Sequence, residues 1–138
     1  MKISSSSWIA LSEAPSAAAP VFRRVFACGK AVRAASLEVT CDGVYEAVLN
    51  GKRVGRFILA PGWTEYRKRL QVQTYDVKNL LEKDNILEVT VGSGWYRRTN
   101  APWTGTQNPD EFLPAMMIAS LHIVYADGAE ETILTDES

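Results

Sequence analysis

The chain has 138 residues, of which 46% are hydrophobic and 22% are charged, with a formal net charge of −1 at pH 7. This length and composition indicate one globular domain and exclude a disordered chain, because there is enough apolar surface to build a core. The near-zero net charge gives no attraction to nucleic acid, and no apolar run approaches the roughly 20 residues needed to span a membrane.

The first 19 residues are predicted to form an arm ahead of a single domain at residues 20–138. The only apolar core in this arm, at residues 8–11, is much shorter than the roughly 7–15 residues of a signal-peptide core. We therefore expect a cytoplasmic protein, unless a leader precedes this sequence. The two cysteines, Cys28 and Cys41, form no disulfide framework and lack metal-ligand spacing, so each is expected to be a free, buried thiol.

Two strands are predicted in the first third of the chain, at residues 21–28 and 34–41. In the second of these, apolar and polar residues alternate, as in a strand with one buried face. The pair Asp42-Gly43 then predicts a turn, so this strand would form a hairpin with the next strand at residues 45–49. Successive hairpins without helical periodicity indicate an antiparallel sheet.

A second hairpin is predicted at Asn50-Gly51. An Asn-Gly pair between apolar runs is the strongest short-range hairpin signal, because both central residues of a type I′ turn need positive φ. The return arm is predicted at residues 53–59. It ends at Pro61-Gly62, because proline removes a backbone donor and glycine relaxes the steric limits. A further strand is predicted at residues 70–75.

The second half of the chain has one short helical signal and three strands. Asp76 occupies an N-cap position ahead of residues 77–81, which form at most a turn or two of helix. Strands are predicted at residues 86–91, 115–125 and 131–134, with a turn at Asp127-Gly128 between the last two. Residues 116–118 are apolar on both faces, which indicates burial on both sides or a lid beyond the sheet.

A long irregular loop is predicted at residues 95–114, which contain two tryptophans and three of the six prolines. A loop of this length in a compact domain is generally functional or part of an interface. In total, about seven or eight short strands with regularly spaced turn signals are expected. This pattern predicts an all-β fold, an antiparallel two-sheet β-sandwich.

No self-contained active site is predicted. Glycoside hydrolysis needs two carboxylates about 5–10 Å apart, and the adjacency of Asp110 and Glu111 in the long loop is no evidence of opposed geometry. The acids on outward strand faces are expected to be solvated: Glu38, Glu46 and Glu88. The single histidine, His122, lies within a strand, where a structural role is expected. The sequence has no phosphate-binding glycine loop and no metal-ligand cluster, so we expect no catalytic residue, metal or cofactor.

Aromatic and planar polar side chains support binding better than catalysis. Pyranose rings pack their C–H faces on aromatic rings, and their hydroxyls bond to planar polar groups. The candidate carbohydrate or interdomain contacts are Trp63, Tyr66, Trp95, Tyr96, Arg97 and Trp103. For Trp63 and Tyr66, core packing is the favoured alternative. For the aromatics of the long loop, an interdomain contact and a sugar contact are equally favoured, and single-stranded nucleic acid is a distant third.

Three sequence blocks lie in register with predicted strands: LNGKRVG at residues 49–55, LAPGWTEYRKRLQVQTYDV at residues 59–77 and VGSGWYR at residues 91–97. Together they resemble the N-terminal β-sandwich of bacterial α-L-rhamnosidases, the inverting glycoside hydrolases of family 78. The first block alone is also similar to sugar-binding domains of family 2 glycosidases, but the ordered trio is specific. WI at residues 8–9, PVFRRVF at residues 20–26 and LTDES at residues 134–138 extend the resemblance over essentially the whole chain.

The resemblance implies a jelly-roll, galactose-binding-like sandwich placed ahead of an (α/α)6 barrel that holds the catalytic carboxylates. No catalytic residue is carried over, because those acids belong to a domain absent from this sequence. The expected function is a non-catalytic accessory domain that packs on the catalytic domain and assists recognition of a rhamnosylated glycan. A stand-alone lectin-like module and a purely structural spacer are the alternatives. Severed from its neighbour, the domain would expose an apolar patch, so weak self-association is expected.

Overall fold

The computed structural model describes residues 3–11, 19–66, 68–96 and 114–136, which form two antiparallel β-sheets. The strands are β1 (Ile9–Ala10), β2 (Val21–Ala27), β3 (Val32–Cys41), β4 (Val44–Leu49), β5 (Lys52–Arg53), β6 (Gln73–Asp76), β7 (Asp84–Gly92), β8 (Met116–Tyr125) and β9 (Glu130–Leu134). Single 3₁₀ turns occur at Ile3–Ser5 and Lys78–Leu80, and the described residues contain no α-helix. The predicted all-β, two-sheet sandwich is therefore confirmed.

The two sheets enclose the core between them. One sheet has the order β2-β7-β4-β5, and the other has the order β1-β8-β3-β6 with β9 also beside β8. Because successive strand residues point to opposite faces, each long strand contributes alternate residues to the core. Those at most 2% exposed include Leu37, Val39, Cys41, Ala47, Leu49, Val89, Val91, Leu121 and Ile123. Each fully buried aliphatic side chain of this kind contributes about 1.5–3 kcal/mol.

The hairpin predicted at Asp42-Gly43 is wrong, because β3 and β4 belong to different sheets. Asp42 stays with β8: its N–H donates to the carbonyl of Met116 at 3.2 Å, and its Oδ1 accepts the N–H of Met116 at 2.8 Å. The chain then crosses to the other sheet at Gly43, where φ is +122°. A Cβ there would lie 2.9 Å from the carbonyl oxygen of Ser93, so this crossing requires glycine.

The Asn50-Gly51 hairpin is confirmed, but its return arm is shorter than predicted. Asn50 and Gly51 have φ of +53° and +74°, as a type I′ turn requires. β5 ends at Arg53 instead of continuing to residue 59. The chain leaves the sheet at Gly55, where φ is +70° and any Cβ would collide with the ring of Tyr75.

The remaining secondary structure follows the sequence pattern closely. The strand predicted at residues 70–75 is observed at Gln73–Asp76. The short helix predicted after Asp76 is observed as the 3₁₀ turn at Lys78–Leu80, and the Oδ1 of Asp76 accepts the N–H of Lys78 at 3.0 Å. A tight turn with φ of +86° at Gly128 joins β8 to β9.

N-terminal residues cover the outer face of β8, as the apolar run at residues 116–118 predicted. Ile118 and Ser120 alternate with inward residues, yet they are only 8% and 1% exposed. The 3₁₀ turn Ile3–Ser5 contacts β8, and the hydroxyl of Ser6 donates to the carbonyl of Ala119 at 2.7 Å. The domain boundary between residues 19 and 20 stays a prediction.

The part of the chain that the structure describes includes no helix long and apolar enough to cross a membrane. The cytoplasmic location stays a prediction.

Candidate binding surface at the loop end of the sandwich

Two aromatic groups that are distant in sequence meet at one end of the sandwich. The ring centroids of Tyr66 and Tyr96 are 5.2 Å apart, with the ring planes at 71°. This edge-to-face arrangement is a favourable geometry for an aromatic pair. Tyr96 follows the end of β7, where Gly92 pairs with Val44 at the start of β4. The pair therefore joins the segment after Pro61 to the loop after β7.

The turn that carries Trp95 and Tyr96 lies against the start of β4. Gly94 has φ of +51°, and a Cβ at this position would lie 2.9 Å from Cγ1 of Val44. Glycine is needed for this close approach, because any side chain would push the turn away from the sheet. Trp95 and Tyr96 are both half-buried. Each of them therefore has part of its ring packed on the domain and part facing solvent.

The hydroxyl of Tyr66 is buried, and it has no hydrogen-bond partner among the described residues. Burial raises the pKa of this hydroxyl, and nearby Cys41 and Asp42 raise it further. The phenol is therefore neutral at physiological pH. Asp42, only 3% exposed, is directed towards the start of β8 by its bond to Met116.

Buried polar side chains hold the segment that precedes Tyr66. The hydroxyl of Tyr45 donates to Oε1 of Gln73 at 3.0 Å, and Nε2 of Gln73 donates to the carbonyl of Pro61 at 3.2 Å. The N–H of Tyr45 also donates to the carbonyl of Ala60 at 2.7 Å. Burial and the neighbouring hydroxyl of Tyr75 both raise the pKa of Tyr45. The segment is thus fixed to β4 and β6 by these hydrogen bonds.

The six candidate contacts differ from one another in their exposure and in whether the structure describes them. Core packing, the favoured alternative for Trp63, is wrong, since this side chain is 77% exposed. Tyr66 is half-buried and packs on Tyr96. Arg97 and Trp103 lie outside the described residues, as do Asp110 and Glu111. As a result, four of the six candidates are described: Trp63, Tyr66, Trp95 and Tyr96.

A second surface, which is not predicted from the sequence, lies beside Trp63. Phe57, Ile58 and Leu59 are 61%, 74% and 52% exposed. We call these three residues together with Trp63 the apolar ridge. The strand predicted at residues 53–59 includes Phe57, Ile58 and Leu59, and alternate residues of such a strand would face the core. Glycine at residue 55 and proline at residue 61 bracket this non-alternating apolar run, and that signal could have indicated a loop.

Each of the outward acids has its own partner. Glu46 pairs with Arg53 at 3.3 Å, and Glu88 pairs with Arg23 at 3.6 Å. Glu38 accepts the N–H of Ile3 at 2.8 Å.

The single histidine and the two cysteines have structural surroundings. Nε2 of His122 lies 3.4 Å from Oε2 of Glu130 on the neighbouring strand. Neither Cys28 nor Cys41 forms a disulfide, and both are buried, as predicted. Burial raises the pKa of the Cys28 thiol. Across residues 3–11, 19–66, 68–96 and 114–136, no three His, Cys, Asp or Glu side chains are arranged to hold a metal ion.

The two packed antiparallel sheets make this domain a jelly-roll β-sandwich, and aromatic residues on its loops lie at one end. Residues 30–138 match the family described as the "Alpha-L-rhamnosidase N-terminal domain". The chain therefore belongs to this family. An α-L-rhamnosidase of Streptomyces avermitilis is 48% identical to it over 107 residues, which are 75% of this chain and 10% of that protein. An α-L-rhamnosidase of Alteromonas sp. is 35% identical over an alignment of 143 positions, which covers 96% of this chain and 15% of that protein.

Solved structures give the same relationship. The α-L-rhamnosidase of Aspergillus terreus superposes with a TM-score of 0.80 and 31% identity, covering 94% of this chain and 15% of that one. The Streptomyces avermitilis enzyme complexed with L-rhamnose gives 0.76 and 41%, with coverage of 86% and 12%. A Pleurotus ostreatus lectin in complex with GalNAc gives 0.63 and 26%, covering 99% of this chain and 34% of the lectin. The chain thus spans a small part of the rhamnosidases it matches.

Proposed function

We propose that this domain is a non-catalytic accessory domain of an α-L-rhamnosidase, which packs on the catalytic domain and assists recognition of rhamnosylated glycans. The observation that supports it best is the convergence of Tyr66 with Tyr96, beside Trp95, at one end of a domain that makes up only 10% and 15% of two related rhamnosidases. A domain that forms so small a part of its relatives works beside other protein. An aromatic end suits that role, whether it faces a protein or a sugar.

The chemistry of the sugar fits an aromatic surface. L-Rhamnose carries a methyl group at C6 in addition to its hydroxyls, so its recognition needs apolar contacts as well as hydrogen bonds. Trp95 and Tyr96 offer partly exposed ring surface, on which C–H groups of a pyranose can pack. In this proposal the two residues shape the far side of a substrate cleft whose catalytic acids belong to the neighbouring domain.

A stand-alone lectin-like module is the second candidate function. The similarity to a fungal lectin over nearly the whole chain favours it. A lectin binds its sugar without help from another domain. The isolated chain should then bind L-rhamnose measurably by titration calorimetry at millimolar sugar, and Trp95→Ala should abolish the heat signal. The accessory-domain proposal expects no signal in the isolated chain, because half of the cleft is missing.

The test of the proposal uses the full-length rhamnosidase that carries this domain. Trp95→Ala should raise KM for a rhamnosylated glycan about two- to twelvefold, since an aromatic contact contributes about 0.5–1.5 kcal/mol beyond its buried area. kcat should change little, because the contact is equally present in the ground and transition states. Trp8→Ala is the matched control. Trp8 is 45% exposed and precedes β1, which lies at the edge of the sheet that does not contain β7. Equal KM values for both variants and the wild type would contradict the recognition role.

A further inference from the structure

The apolar ridge is an exposed surface without charged side chains. Its four side chains are between 52% and 77% exposed and fall within seven consecutive residues. No charged residue occurs from Phe57 to Thr64, whereas Arg56 and Glu65 bound the segment on either side. An apolar centre with a charged rim is the composition of a protein–protein interface core.

Hydrogen bonds to the sandwich hold the ridge in one conformation. Nη2 of Arg53 donates to the carbonyl of Phe57 at 2.7 Å, and the N–H of Gly62 donates to the carbonyl of Leu59 at 3.0 Å. Between these points Ala60 is 2% exposed, and its carbonyl bonds to β4. The segment is therefore anchored in the core while its large side chains point outward. A surface fixed in this way binds a partner without a large cost in ordering entropy.

The backbone at Leu59 adds a second unfavourable feature. Leu59 has φ of +58°, a left-handed conformation that is unfavourable for a residue with a Cβ. Glycine or asparagine would relieve this strain and would also remove an exposed apolar side chain. A partner that buries the side chain presented by this conformation would offset both costs.

The side chains of the ridge select protein over sugar as the partner. Ile58 and Leu59 are branched aliphatic residues without a flat face, and none of the four carries a hydroxyl, amide or charge that could bind several sugar hydroxyls. A dry apolar surface of a neighbouring protein domain is the chemistry that fits them. This assigns Trp63 to a protein contact and leaves Trp95 and Tyr96 for the glycan.

We infer that the apolar ridge is the surface by which this domain docks on the remainder of its longer rhamnosidase chain, an inference that rests on the proposed function. The matched relatives are about seven to ten times as long as the stretch that they share with this chain, so each of those relatives contains enough other protein to supply a partner within the same polypeptide. Interdomain interfaces bury about 600–1,500 Å², and a cluster of four large apolar residues suits the centre of one.

The test compares Ile58→Asp with Val25→Asp in the full-length rhamnosidase that carries this domain. Val25 is 60% exposed and lies on β2, at the opposite edge of the sheet from β5. Ile58→Asp should split the calorimetric unfolding into separate transitions and speed proteolytic release of the domain at least about tenfold, since a charge at an interface centre removes a hot spot. Val25→Asp should do neither. The isolated 138-residue chain with Ile58→Asp should unfold at the wild-type temperature, which shows that its fold is intact.

Other outcomes separate this inference from the proposal beneath it. If the wild-type domain already unfolds independently of the rest, packing on the catalytic domain is refuted along with the inference. If the domains unfold together and Ile58→Asp behaves like Val25→Asp, docking uses another surface and only the inference is overturned. It is also overturned if Ile58→Asp only disperses a dimer of the isolated chain, or only weakens its binding of L-rhamnose.

Discussion

Asn85 is a fully buried polar residue that ties three segments together. Its Oδ1 accepts the N–H of Glu82 at 2.8 Å and Nδ2 of Asn50 at 2.9 Å. Its Nδ2 donates to the carbonyl of Glu82 at 2.8 Å and lies 3.5 Å from Sγ of Cys28. Asn50 in turn donates to the carbonyl of Leu80 and accepts the N–H of Ile86. One hydrogen-bond network therefore connects the β4–β5 hairpin, the 3₁₀ turn at Lys78–Leu80 and the start of β7.

Replacing Asn85 with alanine should lower the free energy of unfolding by about 2–3 kcal/mol. The change leaves the two backbone groups of Glu82 and the amide of Asn50 without this partner. Each lost bond costs about 1 kcal/mol, and more where the group stays buried. These groups are only partly buried, so water can replace some of the bonds, which keeps the total below the sum of full desolvation penalties. For a domain of this size such a loss is a large part of the total stability.

Urea unfolding of the 138-residue chain measures this loss. The midpoint should fall with the slope unchanged, since the native fold is retained. Asn79→Ala is the control, because Asn79 is exposed beside the same network, and its effect should stay within about 0.5 kcal/mol. If Asn85→Ala were as stable as Asn79→Ala, the network would not hold these segments together and the reasoning would be wrong.

Three further predictions concern single residues. Gly43→Ala should cost about 3 kcal/mol, because its Cβ would meet backbone atoms, whereas Gly128→Ala, open to solvent, should cost about 1 kcal/mol in denaturant unfolding. Tyr66→Phe should leave the free energy of unfolding unchanged or raise it by up to about 1 kcal/mol, because the buried hydroxyl has no partner among the described residues. A loss of stability would show that the hydroxyl forms a hydrogen bond. The hydrogen bond from Lys30 holds the pKa of Asp127 below its usual value, so stability from this pair is present above the unfolded-state pKa and is lost as pH falls through the folded one. Lys30→Met should flatten the acid-unfolding profile in that range at low salt, and an unchanged profile would contradict this.

Local signals in the sequence were sufficient for most strands and for two of the three predicted turn pairs, Asn50-Gly51 and Asp127-Gly128. Alternation placed β3, and the positive φ of Asn50-Gly51 followed from residue type alone. The Asp42-Gly43 turn shows the limit of this reasoning. A turn pair reports that the chain bends there, but the sheet it enters depends on the bond between Asp42 and Met116, 74 residues apart.

The candidate surface was harder to predict than the fold. The sequence pointed to both aromatic groups, yet their meeting at Tyr66 and Tyr96 depends on which strand ends lie together. The sequence does not predict the apolar ridge, because an apolar run that directly follows a strand looks like a continuation of that strand. The glycine at residue 55 is a sequence signal for a break in the strand, but the contact that requires glycine there is with Tyr75, which is distant in sequence. The functional assignment itself came from the resemblance of three sequence blocks, which the family match supports.

Hydrolysis of 4-nitrophenyl α-L-rhamnopyranoside tests the central claim most directly. The account predicts that the full-length rhamnosidase turns this substrate over, and that the isolated 138-residue chain gives no release of 4-nitrophenol above buffer at the same molar concentration. Saturable turnover by the isolated chain would mean that the carboxylates that cleave the bond lie within this sandwich, and it would contradict the account.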